Sequence, residues 1–252
     1  MVRRNRYVFE NVIEIEEFLD GRYGAPSEKR EKKKTATKEQ MEKVNQWNKS
    51  KKARHRLRKY FKAKRDWFVT LTYMKEDRPT DLKTVQAHFK KFYTFMGMEF
   101  KKRDCTLRWI RNIENTPTGN WHVHVVITDL PGTNVLTLMN QAWPYGKVKN
   151  IQQLYEKGDF KDLADYITKS EKTKKECVTK GILDHKITEA NYSTSRNMPL
   201  PEPEIEKLPH WEDEIKVPED YYIEKETFYE GTNKFTGYNY RHYTLVKINR
   251  RC

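Results

Sequence analysis

The chain has 252 residues, of which 34% are charged, and its 50 Lys and Arg against 36 Asp and Glu leave a net charge of +14. No apolar run approaches the roughly 20 residues that a membrane span requires, which excludes an integral membrane protein and predicts no membrane partner. Cys105, Cys177 and Cys252 are far apart and form no C-x-x-C pair, which argues against a disulfide framework or a zinc ribbon and predicts a reducing, cytoplasmic location.

The first quarter of the chain joins a short apolar segment to a strongly basic one. Residues 1–20 mix apolar and acidic side chains and predict a strand or an arm. Seventeen Lys and Arg against three Glu lie between Lys29 and Arg65, so this segment carries the whole net charge. It predicts phosphate binding with steep salt dependence, the alternative being a solvated helix face. Thr37-x-x-Gln40 has the capping-box pattern and is expected to begin a long basic helix.

The middle of the chain predicts a sheet covered by helices. Residues 67–73 are β-branched and aromatic, which favours a strand buried on both faces. A helix with one apolar stripe is expected after Pro79 and Asp81. Two strands, 107–114 and 121–128, are joined by a turn-forming Asn-Thr-Pro-Thr-Gly-Asn and predict a hairpin.

The remaining elements lead to a domain edge. We predict a short helix capped by Asn134, a strand within residues 146–154, and a helix that begins at Asp159 and runs towards Lys174. Five of the ten prolines lie between residues 191 and 219, which predicts an extended linker. The expected α+β chain divides into an N-terminal arm and basic helix (1–65), a central domain (66–190), a Pro-rich linker (191–219) and a terminal β-hairpin packed on the central domain (220–252).

A histidine pair within the predicted hairpin suggests a metal site. His122 and His124 are two apart on a strand, so their imidazoles share one face while Val123 and Val125 face the core. Glu114 precedes His122 by eight residues across the hairpin and can reach the same face as an oxygen ligand. Two imidazoles and one carboxylate leave coordination positions open, as a catalytic ion needs. The alternative is two solvent-facing or hydrogen-bonded histidines.

A tyrosine and a lysine on the later helix complete the pattern. Tyr166 and Lys169 lie 60° apart on one helix edge at about 100° per residue, and we expect both to point away from the core. A nearby ammonium or metal ion favours the phenolate that a nucleophilic tyrosine becomes.

Three motifs in this order resemble the HUH endonucleases, and specifically the single-tyrosine rolling-circle replication initiators of plasmids and phages. Phe68 to Tyr73 is similar to the first motif of that family, Glu114 with His122-Val123-His124 to its metal motif, and Tyr166-x-x-Lys169 to its nucleophile motif. The resemblance implies that the central domain is a nuclease with a ferredoxin/RRM-like fold and a central antiparallel sheet of about five strands. It also implies that Tyr166 attacks origin DNA, forming a 5′-phosphotyrosine link and freeing a 3′-hydroxyl.

The resemblance extends to cofactors and partners. The ligand types are compatible with Mn²⁺ or Mg²⁺, and Zn²⁺ also fits. The expected substrate is single-stranded origin DNA, presented in a hairpin or beside flanking duplex. No P-loop motif is present, so a separate helicase is expected to act in trans. The basic residues expected to contact DNA are Arg54, Arg56, Arg58, Lys59, Lys62, Lys64, Arg65 and Arg196.

Other functions remain open from the sequence. Within the same chemistry the alternatives are a single-tyrosine transposase and a conjugative relaxase. From other classes they are a non-catalytic nucleic-acid-binding protein, and an iron oxygenase or zinc hydrolase built on the same histidines and carboxylate.

Overall fold

A computed structural model of the protein describes residues 1–19, 37–116, 118–155, 160–169, 189–232 and 237–248. These residues form eleven strands, four α-helices and one short 3₁₀ turn. In chain order they are β1 (Val2–Val8), β2 (Val12–Leu19), α1 (Lys38–Tyr60), β3 (Trp67–Thr72), α2 (Leu82–Lys101), β4 (Trp109–Asn115), β5 (Trp121–Ile127), α3 (Val135–Ala142), β6 (Val148–Gln153), α4 (Lys161–Thr168), β7 (Glu189–Thr194), β8 (Glu204–Leu208), β9 (Tyr221–Ile223), the 3₁₀ turn (Lys225–Thr227), β10 (Tyr229–Thr232) and β11 (Asn239–Lys247).

The chain divides into two compact units. The first contains Met1–Met41 together with Pro201–Cys252, and the second contains Glu42–Leu200. The first unit is therefore built from the two ends of the chain. Among the described residues, no helix is both long enough and apolar enough to cross a bilayer.

The second unit is a five-stranded antiparallel sheet with helices on both faces, which confirms the predicted α+β class. The strand order is β6-β3-β5-β4-β7. The α2 stripe begins after Asp81, whose side chain accepts a hydrogen bond from the Thr84 amide, and packs with α3 on one face. Apolar residues of α1 and α4, including Ala53, Leu57 and Ile167, cover the other face. Each strand residue therefore has a defined side, set by the period of two.

The first unit is a six-stranded antiparallel sheet. Its order is β10-β11-β2-β1-β8, with β9 also pairing with β11. Ile13, Ile15, Tyr243 and Leu245 form a small apolar core on one face. On that same face the buried Glu17 accepts hydrogen bonds from Arg4 at 2.6 Å and Arg241 at 2.8 Å, so its charge is paired.

The capping box and the predicted hairpins are present. The Thr37 amide donates to the Gln40 side chain at 3.0 Å, and the Gln40 amide donates to the Thr37 hydroxyl at 3.2 Å. β4 and β5 form the central hairpin, and β10 and β11 form the terminal one.

The chain divides at different points from those expected. The predicted linker, 191–219, contains most of β7, which pairs with β4, and all of β8, which pairs with β1. Extended proline-rich backbone is compatible with an edge strand, because prolines outside the ladder leave its donors intact. The hairpin predicted to pack on the central domain instead hydrogen-bonds through β11 to β2 of the N-terminal arm. The basic helix α1 packs on the second unit's sheet through Ala53 and Leu57.

Candidate functional site

The candidate site lies on the sheet face of the second unit that α1 and α4 cover. His122 and His124 share this face with Val126, whereas Val123 and Val125 belong to the opposite core. Glu114 on β4 lies directly across from His122 in the antiparallel register. The predicted alternation of β5 is therefore confirmed, and cross-strand pairing places the carboxylate beside the imidazoles.

Tyr166 and the predicted ligands come together around His124. The Glu114 Oε2 atom lies 3.3 Å from His124 Nε2, and the Tyr166 hydroxyl lies 3.5 Å from the same nitrogen. The ring centroids of His122 and His124 are 6.5 Å apart. Lys169 Nζ lies 4.8 Å from the Tyr166 ring centroid, which is a cation–π distance. One phenol, one ammonium, one carboxylate and two imidazoles thus occupy one small region.

Tyr166 and Lys169 point inward, contrary to the expectation that they face away from the core. The helix ends at Thr168, so Lys169 is its C-cap residue and is buried. Tyr166 is half-buried and packs edge-on against Phe68 with ring centroids 5.9 Å apart. The shorter helix changes the geometry, because Lys169 leaves the helical path that the 60° estimate assumed. Asp159, the predicted cap, and residues 170–174 lie outside the described residues.

Three further residues position the site, and the sequence patterns did not single them out. The Thr70 hydroxyl lies 3.1 Å from His124 Nδ1. Asn112 donates to Glu114 Oε1 at 2.9 Å, which leaves Oε2 on the side of His124. Phe68 stacks on the His124 ring, with planes 7° apart. Their signal in the sequence is the period of two, since Asn112 and Phe68 share a face with Glu114 and Thr70.

The local environment disfavours the phenolate of Tyr166. Burial raises the pKa of the phenol well above its usual value, and the nearby Glu114 carboxylate raises it further. Tyr166 is therefore a neutral phenol at pH 7 unless a positive charge is added beside it.

The donor set is compatible with a divalent ion, although the three predicted ligands are not fully gathered. A spacing of 3.3 Å between Glu114 Oε2 and His124 Nε2 matches two ligands of one ion with bonds of about 2.1 Å. The half-exposed His122 must rotate towards them to become a third ligand. Hydrogen bonds to the far atoms of both near ligands, from Asn112 and Thr70, have the arrangement typical of metal sites.

A second cluster meets the geometric requirement more closely. Within the described ranges, ligand atoms of Glu14, Glu16 and His242 in the first unit all lie within 4.8 Å of one another. The structure therefore contains a buried acidic and histidine cluster that could hold a metal ion, in a place that the sequence patterns did not suggest.

The predicted DNA-binding residues separate into exposed and buried groups. Lys59, Lys62, Lys64 and Arg196 are exposed, and so is Arg65, which is paired with Asp66 at 2.8 Å. Arg56 is half-buried and donates to the Met198 carbonyl. Arg54 and Arg58 are buried, because positions 54 and 58 adjoin the Ala53 and Leu57 face of α1, which packs on the sheet.

Residues 66–171, somewhat under half of the chain, match a family model described as a replication-associated protein of the ORF2 type. This range includes every residue of the candidate site. No curated protein and no solved structure matches the chain. The family match supports a replication-initiator type of protein that acts on DNA.

Proposed function

We propose that the protein is a site-specific single-strand endonuclease and strand transferase that nicks a replication origin for rolling-circle replication. The observation that carries this proposal is the 3.5 Å separation between the Tyr166 hydroxyl and His124 Nε2, which in turn lies 3.3 Å from Glu114. A nucleophile and an oxygen–nitrogen ligand pair at this spacing leave space for one phosphate group beside all three. The family match over residues 66–171 supports the same conclusion.

A divalent cation held by Glu114, His122 and His124, Mn²⁺ or Mg²⁺ by ligand type with Zn²⁺ also compatible, would polarise the non-bridging oxygens of the scissile phosphate. The Tyr166 oxygen forms a bond to phosphorus as the bond from phosphorus to the 3′ oxygen breaks. The phenol loses one proton and the departing 3′ oxygen gains one, so the number of phosphodiester linkages is unchanged. The reverse reaction rejoins the strand without ATP.

Lys169 has a positioning and electrostatic role. Its ammonium lies against the Tyr166 ring and is buried, so its charge acts in a region of low dielectric constant. A positive charge at this place opposes the effect of burial and Glu114 on the phenol, and it also attracts the phosphate. The surrounding apolar side chains, Phe68 and Ile167 among them, limit the access of water to the phosphotyrosyl ester.

Single-stranded DNA would be held by the exposed cations on the same side of the sheet. Lys59, Lys62 and Lys64 follow one another at the end of α1 and in the loop after it. Lysines in this arrangement contact successive phosphates without reading bases. The chemistry proposed here separates no strands, so a helicase supplied in trans opens the duplex.

Covalent capture tests the proposal. Full-length protein is mixed with Mn²⁺ and a random-sequence single-stranded library labelled at either the 3′ or the 5′ end. We expect an SDS-resistant adduct that retains the 3′ label alone, because the protein joins the 5′ phosphate of the downstream fragment. Sequencing the captured DNA then gives the nick site, and the released fragment should be extended by a DNA polymerase.

Tyr166→Phe should form no adduct, whereas Tyr155→Phe, which alters a tyrosine that is 62% exposed, should form as much as the wild type. EDTA should prevent the reaction in both. An adduct of normal yield in Tyr166→Phe would contradict the assignment of the nucleophile. If the wild type binds single-stranded DNA and never forms an adduct, the protein is a non-catalytic binder.

A further inference from the structure

The first unit contains a cluster of potential metal ligands that the nicking chemistry does not use. Glu14 and Glu16 lie on β2, and His242 lies on β11, with ligand atoms within 4.8 Å of one another. His242 pairs with Glu16 in the antiparallel register, and Glu14 is the next residue on the same face. The three side chains therefore converge because of strand pairing between the two ends of the chain.

The spacing of the nearest pair already suits a shared ion. His242 Nε2 lies 2.9 Å from Glu14 Oε1. Two adjacent ligands of an octahedral ion with bonds of about 2.1 Å lie about 3 Å apart. Glu14 and His242 are buried and Glu16 is half-buried, which leaves one side of the cluster open to an incoming ion.

The other nitrogen of His242 is held in the way that metal-binding histidines are held. His242 Nδ1 lies 3.1 Å from the Thr227 carbonyl oxygen, which can only accept, so Nδ1 carries a proton. Nε2 is then either a lone pair facing two carboxylates, as a metal ligand requires, or the second N–H of an imidazolium paired with Glu14. These two states have different consequences that can be measured.

Thr244 gives an independent indication of a missing partner. It lies opposite Glu14 in the register and two residues after His242, so its side chain is on the face of the cluster. Thr244 is fully buried, and within the described residues its hydroxyl oxygen has no hydrogen-bond partner. A buried hydroxyl usually has a partner. A water or a ligand bound to a metal ion at the cluster would supply one.

We propose that Glu14, Glu16 and His242 bind a divalent transition-metal ion, with the Thr244 hydroxyl hydrogen-bonding to its outer ligand. The ion links β2 to β11 and so cross-links the two ends of the chain. One imidazole and two carboxylates form a mixed nitrogen and oxygen set that suits Mn²⁺, Fe²⁺ or Zn²⁺. The site is separate in its residues from the one proposed for nicking.

Pulsed EPR with Mn²⁺ alone separates the two sites by the number of coupled imidazole nitrogens. Full-length protein carrying His124→Gln lacks the central ligand of the nicking site. We expect it to retain a bound Mn²⁺ coupled to one imidazole, and we expect the additional change Glu16→Gln to lower Mn²⁺ affinity about tenfold or more. The matched control is Glu10→Gln, which removes a carboxylate that is exposed between β1 and β2 and should leave the signal intact.

The proposal is overturned if the His124→Gln protein binds no imidazole-coupled Mn²⁺, or if Glu16→Gln binds Mn²⁺ as tightly as its parent. Should Glu16→Gln fail to fold, thermal unfolding of the His124→Gln protein decides instead. Mn²⁺ should raise its unfolding temperature, since an ion that binds only the folded chain stabilises it. An unchanged unfolding temperature overturns the proposal. None of these results depends on whether the protein nicks DNA.

Discussion

At the scale of single residues, the orientation of His124 depends on Thr70. The Thr70 hydroxyl contacts His124 Nδ1 at 3.1 Å and receives a hydrogen bond from Asn150 at 3.4 Å. Because Thr70 is buried, water cannot replace its hydroxyl when that group is removed. Thr70 therefore fixes which His124 nitrogen faces Glu114 and Tyr166.

Thr70→Val should weaken Mn²⁺ binding at Glu114 and His124 about tenfold or more, while the fold is kept because Val has a similar shape and favours strands. An EPR titration with Mn²⁺ measures the affinity. Thr70→Ser should restore it, since the hydroxyl returns. As a control, Thr194→Val alters a half-buried strand residue opposite Ile110, away from the site, and should change nothing. Equal affinities in the Val and Ser variants would mean that Thr70 does not position His124.

The residues of the site differ in how far the sequence could identify them. Glu114, His122 and His124 were predictable, because a hairpin with a short turn fixes which residues face each other. Thr70 was not, since β3 and β5 are far apart in the chain and only their register, Thr70 opposite His124, brings the two side chains together. The burial of Lys169 was also unpredictable, because the end of a helix is set by packing as much as by sequence.

At the scale of elements, the approach of β3 to the segment before β6 requires a glycine. A Cβ atom at Gly146 would lie 2.0 Å from the Thr72 carbonyl oxygen and 2.8 Å from Tyr73 Cα. The same carbonyl accepts hydrogen bonds from the Lys147 amide at 3.2 Å and the Trp143 indole at 2.9 Å. The backbone at Thr72 is thus held in place and cannot move away.

Gly146→Ala should destabilise the protein by about 2 kcal/mol or more, because overpacking against a fixed backbone separates β3 from β6. Urea unfolding followed by tryptophan fluorescence measures the change. Gly97→Ala is the matched control, since its nearest neighbour, Leu107 Cδ2, is 3.9 Å away within a helix. That variant should gain about 0.5–1 kcal/mol from helix propensity. A stable Gly146→Ala protein would show that the two segments can separate without cost.

The elements that the sequence predicted well are those with a strong local pattern. The apolar stripe of α2 and the β-branched run of β3 occur where expected. β7 and β8 were missed, because neither carries an apolar face: β7 is half-buried throughout and β8 is almost entirely exposed. Both are edge strands that are held by hydrogen bonds to β4 and β1, and such pairing leaves little trace in composition.

At the scale of the whole molecule, the first unit illustrates a limit of local reasoning. Strand β11 pairs with β2 from the opposite end of the chain, and this pairing also gathers Glu14, Glu16 and His242. No periodicity links two segments that distant, since each strand alone specifies only which of its faces is apolar. The proposed second metal site consequently could be found only from coordinates.

The net charge of +14 acts through a subset of exposed side chains. Of the eight basic residues predicted to bind DNA, the buried Arg54 and Arg58 cannot reach a phosphate in this conformation, whereas Lys59, Lys62 and Lys64 can. Changing these three lysines to Gln should weaken single-stranded DNA binding. It should also make the plot of log affinity against log salt shallower by about 2, because each lost phosphate contact removes about 0.7 from the slope.

A second triple variant separates location from total charge. Lys83, Lys90 and Lys91 are exposed on α2, which covers the opposite face of the sheet from the candidate site. Replacing them with Gln lowers the net charge equally, so any general attraction to DNA falls by the same amount. We expect this variant to keep the wild-type salt slope in fluorescence anisotropy titrations. Equal losses in the two variants would mean that total charge governs binding, because the DNA path would then not depend on which face carries the lysines.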